Sequence, residues 1–375
     1  MTRVYNFGAG PATLPTSVLE QAQQEFLDYK GLGASIIEIS HRSSEFGDII
    51  NTTDALLTEL AWIPGNYRIL YVHGGAQMQF SAIPLNLIAR NPARKAAYVE
   101  TGNFAKLARK EAERYGYSGF GFGGGDGKTS VTIAASSESD NFNHIPVFTP
   151  ESLDADTSYL HITSNNTIYG TRWQRFPNTD DIPLVADMTS ELLSRRLDWK
   201  QFGVIYAGLQ KNLGPSGLAC VIIREDLLGM ALPNTPSLLN YQTYADKHSL
   251  ANTTNTFAIY IMKLVLEWLR DEGGVDAIEQ RNDDKARLLY KAIDNSGFYQ
   301  GTAQKEHRST MNVCFTLPDN TLLKRFLDEA EVKGLYALKG HRNVGGARAS
   351  IYNAMPVAGC QALADFMREF EAGNG

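Results

Sequence analysis

The stretch "FGVIYAGLQKNLGPSGLACVII", residues 202–223, places one lysine, Lys211, on a tight turn between two apolar, strand-like runs. Gly214, Pro215 and Gly217 close the turn, and both flanks are typical of buried β-strands. Burial lowers the pKa of a lysine and makes its amine nucleophilic, which a Schiff-base lysine requires. A hairpin lysine that points to solvent is the alternative, and this segment alone leaves it open.

Strand-like and helical segments alternate on both sides of this turn. Apolar runs typical of strands occupy residues 67–74, 96–101, 158–164, 182–188, 202–208 and 218–224. Segments with helical character lie between them, as at residues 81–91 and 104–115. The alternation predicts an α/β domain built on a mostly parallel central sheet.

A smaller domain is predicted beyond a glycine pair. A long helix is expected over residues 257–271, and the glycines at 273–274 end it. The following segments are a helix (276–295), a strand (309–317), a helix (320–334) and a final helix from about Pro356. This pattern is typical of an α+β domain. We therefore predict a large domain over residues 17–270 and a small domain that combines residues 1–16 with residues 271–375.

Composition narrows the function classes. The 375-residue chain has a net charge of -6 at pH 7, which argues against a general nucleic-acid binder. No apolar run is long enough to span a membrane, and the first residues lack the apolar core of a secretory signal, so we expect a cytoplasmic protein. Cys220, Cys314 and Cys360 show no metal-ligand spacing, so we expect buried, reduced thiols and neither a disulfide framework nor a metal site.

The glycine-rich run at residues 119–130 is similar to a nucleotide-binding P-loop only at first sight. The P-loop pattern requires a glycine where Phe122 stands, and no clear strand leads into the run. We therefore interpret it as an exposed loop.

An aspartate ends one of the predicted strands. Asp187 closes the apolar run "IPLVADM", where open α/β sheets present ligand-binding groups. A buried carboxylate that faces a pyridine nitrogen keeps that nitrogen protonated, and the pyridinium is the electron sink of pyridoxal 5'-phosphate (PLP) chemistry. Alternatively, Asp187 caps a following helix through Thr189 or Glu191.

A glycine pair precedes a predicted helix start. In "YVHGGAQMQF" a strand runs into Gly74 and Gly75. Free backbone N–H groups and the helix dipole make such a turn an anion site, and glycines allow the anion to approach closely. The phosphate of a cofactor would fit there, although a lone glycine pair is as often simple turn chemistry.

Two His-Arg pairs and one further arginine form a candidate anion-recognition set. Its members are His41 and Arg42 in "EISHRS", and His341, Arg342 and Arg348 in "LKGHRNVGGARASIYNAM". The planar guanidinium binds carboxylate and phosphate groups through paired hydrogen bonds, so a substrate that carries both groups would suit the set. Surface charge is the usual alternative for any single arginine.

Together these motifs resemble the phosphoserine aminotransferase family, which belongs to the fold-type I, class V PLP-dependent enzymes. The resemblance covers essentially the whole chain and rests on "NFGAGPATLP", "EISHRS", "GGAQMQF", "ADMTSELLSR", "YAGLQKNLGPSG", "NTTNTFAIY" and "LKGHRNVGGARASIYNAM". It implies a fold-type I fold with PLP as cofactor. The implied reaction is reversible transamination of 3-phosphohydroxypyruvate with glutamate, giving O-phospho-L-serine and 2-oxoglutarate in serine biosynthesis.

The resemblance also implies which residues hold the cofactor. Lys211 would form the Schiff base and move the substrate proton, and Asp187 would pair with the pyridine nitrogen. The other contacts within the subunit would come from the backbone of Ala76 and Gln77 and from Phe104, Thr167 and Gln210.

Substrate binding and assembly follow from the same resemblance. The substrate phosphate and carboxylate would be bound by His41, Arg42, His341, Arg342 and Arg348. Asn252 and Thr253 would reach the cofactor phosphate of a neighbouring subunit, so the resemblance implies a homodimer with shared active sites. Whether 4-phosphohydroxythreonine, an intermediate of vitamin B6 synthesis, is a second substrate stays open.

The sequence departs from the family at two positions. Phe104 stands where many members carry a tryptophan stacked on the cofactor, and a phenylalanine offers a smaller face without an indole N–H. Asn166 stands where the family usually has glutamate, which puts the local contacts of Thr167 in doubt.

Three rival functions remain at this stage. One is another class V activity, such as alanine–glyoxylate transamination. A second is cysteine desulfuration, which needs a mobile reactive cysteine, whereas all three cysteines lie in apolar segments. The third is a noncatalytic PLP-binding protein, which would not need both Lys211 and a full anion set.

Overall fold

The computed structural model describes residues 3–116 and 129–375, so the glycine-rich run at 119–130 lies outside the described residues apart from its last two positions. The α-helices are α1 (Thr16–Gln24), α2 (Ser44–Ala61), α3 (Gly75–Leu87), α4 (Asn103–Glu113), α5 (Tyr241–Asp246), α6 (Thr256–Asp271), α7 (Gly274–Asp294), α8 (Asn320–Val332) and α9 (Val357–Asn374). The strands are β1 (Tyr5–Asn6), β2 (Tyr67–His73), β3 (Lys95–Glu100), β4 (Ser130–Ser136), β5 (Thr157–Thr163), β6 (Asn165–Asn166), β7 (Thr171–Arg172), β8 (Leu184–Asp187), β9 (Val204–Gly208), β10 (Leu218–Arg224), β11 (Gln300–Gly301), β12 (Asn312–Thr316), β13 (Leu335–Tyr336) and β14 (Ala347–Ser350).

The central sheet is mostly parallel, as the sequence predicts. Within the described ranges it has seven strands in the order β2-β10-β9-β8-β5-β3-β4. Strand β10 runs antiparallel to both of its neighbours, and the ladders among β9, β8, β5, β3 and β4 are parallel. Strand β2 therefore runs in the same direction as β9, and the carboxyl ends of six strands meet at one edge.

Helices cover both faces of this sheet. Alternate residues of β8 pack into two different hydrophobic clusters: Leu184 and Ala186 pack with α2 and α6, whereas Val185 packs with α3 and α5. Every residue of β8 and β9 is buried. Continuous apolar strands are typical of a sheet covered on both faces, which is why these runs are recognisable in the sequence.

Helix α3 begins six residues earlier than the helical segment predicted at 81–91. Gly74 lies in the left-handed region, with φ of 83°, and the helix begins at Gly75 directly after β2. A Cβ at residue 74 would lie 2.7 Å from the Met78 side chain, so this start requires a glycine. The helix continues through Pro84, as the predicted segment does, and ends at Leu87, four residues before the predicted end.

A separate region with its own core follows α6. Strands β11, β12 and β14 form an antiparallel sheet, and β1 pairs with β13. A third hydrophobic cluster joins Phe7, from the N-terminal segment, to side chains between Ala286 and Phe370. The predicted helices and strand of this region are confirmed to within a few residues, whereas the domain boundaries stay a prediction.

The structure also bears on membrane spans, on the cysteine thiols and on metal-binding groups. No helix within residues 3–116 and 129–375 is long and apolar enough to cross a membrane. The thiols of Cys220, Cys314 and Cys360 are buried, as predicted. The same ranges contain no group of three His, Cys, Asp or Glu residues placed to share a metal ion.

Candidate active site

A pocket of about 540 Å³ lies where the carboxyl ends of the parallel strands meet. Segments that follow β2, β5, β8 and β9 line it, which is the position where open α/β sheets bind ligands. The structure brings seven of the predicted cofactor residues together in its wall: Ala76, Gln77, Phe104, Thr167, Asp187, Gln210 and Lys211.

Lys211 faces this pocket and not bulk solvent. Its Nζ donates a hydrogen bond to Thr167 Oγ1 at 2.7 Å and lies 5.8 Å from the centre of the Phe104 ring. Burial lowers the pKa of the amine to about 8; Asp187 opposes this shift and Arg348 adds to it. Roughly a tenth of the amine is therefore unprotonated at pH 7, far more than for an ordinary lysine, and a nucleophile or proton acceptor requires this form.

Asp187 lies at the end of β8 and is 6% exposed. Its Oδ1 accepts hydrogen bonds from the Thr189 backbone N–H at 3.0 Å and from Thr189 Oγ1 at 2.6 Å. Burial raises the pKa of the carboxyl, while Thr189 and Lys211 lower it in part. The alternative role as a helix cap is wrong, because residues 188–195 form turns and no helix, although the contact with Thr189 is present.

The turn after β2 has the features of an anion site. Gly74 occupies the N-cap position of α3, and no side chain caps the helix there. The first backbone N–H groups of an α-helix have no partner within the helix, so those of Ala76 and Gln77 are available to a ligand. The turn is held against the Lys211 hairpin because Gly74 N–H donates to Gly217 O at 3.1 Å.

Asn166, which stands where the family usually has glutamate, makes two hydrogen bonds to neighbouring side chains. Asn166 is buried, its Oδ1 accepts a hydrogen bond from Thr101 Oγ1 at 3.0 Å, and its Nδ2 donates to Thr171 Oγ1 at 3.1 Å. Thr167 keeps its contact with Lys211. The doubt about Thr167 that the sequence raises is therefore resolved for the Thr167–Lys211 pair.

One member of the anion-recognition set, Arg348, lies close enough to Lys211 to affect its pKa, although neither it nor His341 and Arg342 is part of the pocket wall. Arg348, on β14, directs Nη1 toward the Thr167 carbonyl oxygen at 3.5 Å, and its Nε is buried without a partner in the described part of the chain. The pKa of His341 is lowered, mainly by burial and also by the charges of Arg348 and Arg342. Arg348 thus brings positive charge near Lys211, whereas the lowered pKa of His341 favours its neutral imidazole.

Four further predicted residues are, like His341, Arg342 and Arg348, not part of the pocket wall of this single chain. His41 and Arg42 directly precede α2, and Asn252 and Thr253 precede α6; within the described ranges none of them is part of the pocket wall. His41 Nε2 and Asn252 Oδ1 are buried without any hydrogen-bond partner among the residues described. Buried polar atoms without partners are uncommon in native proteins, so both sites lack a contact that another molecule could supply.

Some wall residues were not identified from the sequence. Thr189 and Ser190 directly follow Asp187, and Gly10 and Pro11 lie in the "NFGAGPATLP" motif, so their positions beside recognised motifs were a usable signal. Asn165 directly precedes Asn166 and Thr167, so it carried the same signal, and the pairing of β6 with β7 holds it in place.

Comparisons with known proteins agree with this geometry. A sequence model of the family described as Aminotransferase class-V matches residues 4–363. A phosphoserine aminotransferase of Bacillus cereus is 50% identical over 374 residues, which is 100% of both chains. The solved phosphoserine aminotransferase structure from Bacillus circulans subsp. alkalophilus has a TM-score of 0.92 at 44% identity and covers 100% of this chain and 99% of that one. A PLP-bound phosphoserine aminotransferase from Trichomonas vaginalis has a TM-score of 0.90 at 34% identity and covers 98% of this chain and 100% of that one.

Proposed function

The chain belongs to the class-V aminotransferase family, and on this premise we propose how its pocket carries out transamination of a phosphorylated substrate. The reaction is that of a phosphoserine aminotransferase: glutamate gives its amino group to 3-phosphohydroxypyruvate, and O-phospho-L-serine and 2-oxoglutarate are formed. The observation that carries this conclusion is 50% identity over the full length of both chains to a phosphoserine aminotransferase.

The residues of the pocket fit PLP, the cofactor of this family. A volume of about 540 Å³ is in the usual range for a cofactor site. The uncapped start of α3 would hold the phosphate together with Gln210, and Phe104 would lie against the ring. When bound, PLP supplies a pyridine ring that withdraws electrons from the substrate Cα.

Lys211 would hold and move the proton of the reaction. Its pKa of about 8 allows Nζ to accept a proton from the substrate Cα and to return it elsewhere on the reacting framework. The hydrogen bond to Thr167 Oγ1 orients the amine before reaction. A catalytic base works best when its pKa lies near the working pH, and the burial of Lys211 provides that match.

Asp187 would be the counter-ion of the pyridine nitrogen. Thr189 fixes one carboxylate oxygen, Oδ1, and orients the group toward the pocket. A cationic N–H beside the carboxylate would lower the Asp187 pKa that burial raises, because an opposite charge favours the ionised form.

Arginine and histidine side chains would select the substrates. Both oxo acids carry at least two negative charges, and Arg348 places positive charge near Lys211, while Arg348 and Arg342 lie close enough to His341 to lower its pKa further. Guanidinium groups bind either a carboxylate or a phosphate, so one set can accept glutamate and the phosphorylated substrate in turn.

We propose that a second copy of the chain supplies His41, Arg42, Asn252 and Thr253. The support is the unpartnered state of His41 Nε2 and Asn252 Oδ1 among the described residues. In addition, two large apolar side chains that precede His41 in the sequence are exposed: Leu27 is 81% exposed and Ile37 is 51% exposed. Exposed large apolar side chains are typical of an interface surface.

Complementation between subunits tests the shared site. Lys211→Ala and Arg42→Ala chains would each be inactive alone, but a mixed dimer would contain one site with both residues intact. Mixing the unfolded chains and refolding them should restore about a quarter of wild-type activity. If mixing restores no activity although mixed dimers form, Arg42 acts within its own subunit and the proposal is wrong.

Buried cysteines count against the desulfurase alternative. Burial raises the pKa of the Cys314 and Cys360 thiols to about 12, and it also raises the pKa of Cys220. A thiol must ionise to act as a nucleophile, so none of these three is suited to desulfuration.

Absorbance spectroscopy tests the function directly. The purified protein should carry a visible band from bound PLP that bleaches on addition of glutamate or phosphoserine and returns with 3-phosphohydroxypyruvate. The Lys211→Ala variant should bind PLP without turnover. If neither amino acid changes the wild-type spectrum, the transaminase assignment fails; bleaching by alanine but not by phosphoserine would favour alanine–glyoxylate transamination. 4-Phosphohydroxythreonine belongs in the same assay as a second candidate substrate.

Two further predictions remain proposals. We propose a large domain over residues 17–270 and a small one formed by 1–16 with 271–375, supported by the cluster that joins Phe7 to the C-terminal side chains. Separate calorimetric transitions that a Phe7→Ala change shifts unequally would test the division. We also propose a cytoplasmic location, which cell fractionation would check.

A further inference from the structure

Gln79 lies directly behind the turn proposed to bind the cofactor phosphate. It occupies α3, is 1% exposed and is not part of the pocket wall. Its Nε2 donates a hydrogen bond to the Gly75 carbonyl oxygen at 3.2 Å. Its Oε1 accepts a hydrogen bond from Tyr241 OH at 2.8 Å. The side chain therefore connects the turn to α5.

Tyr241 is itself fixed against α3. It is 1% exposed, and its backbone N–H donates to Asn86 Oδ1 at 2.9 Å. Asn86 Nδ2 donates in turn to the carbonyl oxygens of Ala82 and Leu239 at 2.8 and 2.7 Å. Because the Tyr241 hydroxyl donates to Oε1, the amide of Gln79 is held with its N–H groups toward Gly75.

The carbonyl that Gln79 contacts belongs to the peptide group whose N–H is that of Ala76. A hydrogen bond to the oxygen of a peptide polarises the group and strengthens its N–H as a donor. The contact also restrains a flexible segment, since Gly74 and Gly75 both have positive φ, at 83° and 64°. A donor held in place before binding avoids the cost of ordering it when the ligand arrives.

We propose that Gln79 and Tyr241 are positioning residues for the cofactor phosphate: their hydrogen-bond chain orients and polarises the Gly75–Ala76 peptide that binds it. The inference rests on the proposed function, which places the phosphate at this turn. Neither side chain touches the cofactor in this scheme, and both act through the backbone.

Comparison of PLP with pyridoxal, which lacks the phosphate, tests the proposal. Both would be titrated into the cofactor-free full-length protein, and the ratio of the two dissociation constants would be measured for wild type, Tyr241→Phe and Gln79→Met. We expect the affinity for PLP to fall about two- to tenfold in each variant, which corresponds to the usual free-energy contribution of one hydrogen bond. The affinity for pyridoxal should stay unchanged. A general loss of folded protein would lower the apparent affinity for both ligands equally and would leave the ratio of dissociation constants unaltered.

Tyr159→Phe is the matched control. Tyr159 is buried in the same hydrophobic cluster, and its hydroxyl pairs with Tyr98 OH at 2.7 Å and not with Gln79. The ratio should stay at the wild-type value in this control. An unaltered ratio in Tyr241→Phe overturns the inference, and that variant decides the matter if Gln79→Met does not fold. If wild type itself binds both ligands equally well, the proposed phosphate site fails and the inference fails with it.

Discussion

Replacing Lys211 by methionine should stabilise the cofactor-free protein at neutral pH. Burial lowers the pKa of this amine from 10.5 to about 8, so the folded chain holds the proton less tightly than the unfolded chain. The energetic penalty of protonated Lys211 is therefore complete below about pH 8 and disappears as the pH rises toward 10.5. Methionine has similar length and carries no charge, so the variant escapes the penalty.

The size of the effect follows from the shift. At about 1.4 kcal/mol per pKa unit, the change from 10.5 to about 8 corresponds to at most about 3–4 kcal/mol. Solvent screening in the open pocket reduces this value, since Lys211 is only partly buried. The variant also loses the hydrogen bond to Thr167 and leaves Asp187 without a nearby cation. We expect a net gain of about 1–2 kcal/mol, or roughly 1–2 °C in melting temperature for a chain of this length.

Calorimetry of the cofactor-free proteins at fixed concentration would measure this gain. The melting temperature of Lys211→Met should exceed that of wild type at pH 7, and the difference should shrink as the pH approaches about 10. Lys200→Met is the control, because Lys200 is exposed and lies outside the pocket. A lower melting temperature for Lys211→Met at pH 7, or a difference that does not depend on pH, would refute the reasoning.

Three further changes have defined outcomes. Asp187→Asn should lower the pKa of Lys211 further, because it removes the negative charge that raises this pKa. It should also reduce turnover at least about hundredfold in steady-state assays, and full activity would exclude the counter-ion role. Phe104→Ala should weaken PLP binding about five- to tenfold by equilibrium titration, whereas Phe104→Trp should bind at least as tightly as wild type. An unchanged affinity in Phe104→Ala would show that the ring does not stack on the cofactor. Arg348→Gln should raise the pKa of Lys211, and it should raise the KM for both anionic substrates more than it changes kcat. An unchanged pH–rate profile would contradict the charge coupling between Arg348 and Lys211.

Much of the fold could be predicted because the central strands are buried on both faces. The runs that became β8, β9 and β10 are continuously apolar, and such runs are recognisable without tertiary information. Helix α2 was missed although Phe46, Ile49, Ile50 and Leu57 follow a helical period, and Ser43 caps it. Strand β4 was also missed, because it is half exposed at the sheet edge and lacks an apolar run.

Motif position predicted the candidate site better than residue type did. Lys211, Asp187 and the Gly74–Gly75 turn each follow a strand, and the carboxyl ends of parallel strands meet at one edge of a sheet. Gln79 stands in a recognised motif, yet its role could not be predicted from the motif, because its partner Tyr241 lies 162 residues away along the chain.

The sequence by itself determined the α/β class, the lysine hairpin, the aspartate at a strand end and the glycine turn, because each depends on local pattern and backbone sterics. Only the tertiary structure decided the pKa of Lys211, since burial, Asp187 and Arg348 reach that amine from separate segments. It also decided that Thr167 is the partner of Lys211 and that His41 and Asn252 keep buried atoms without partners. Burial and hydrogen-bond distances arise only when distant segments pack together, and these quantities turn a recognisable motif into a site with defined chemistry.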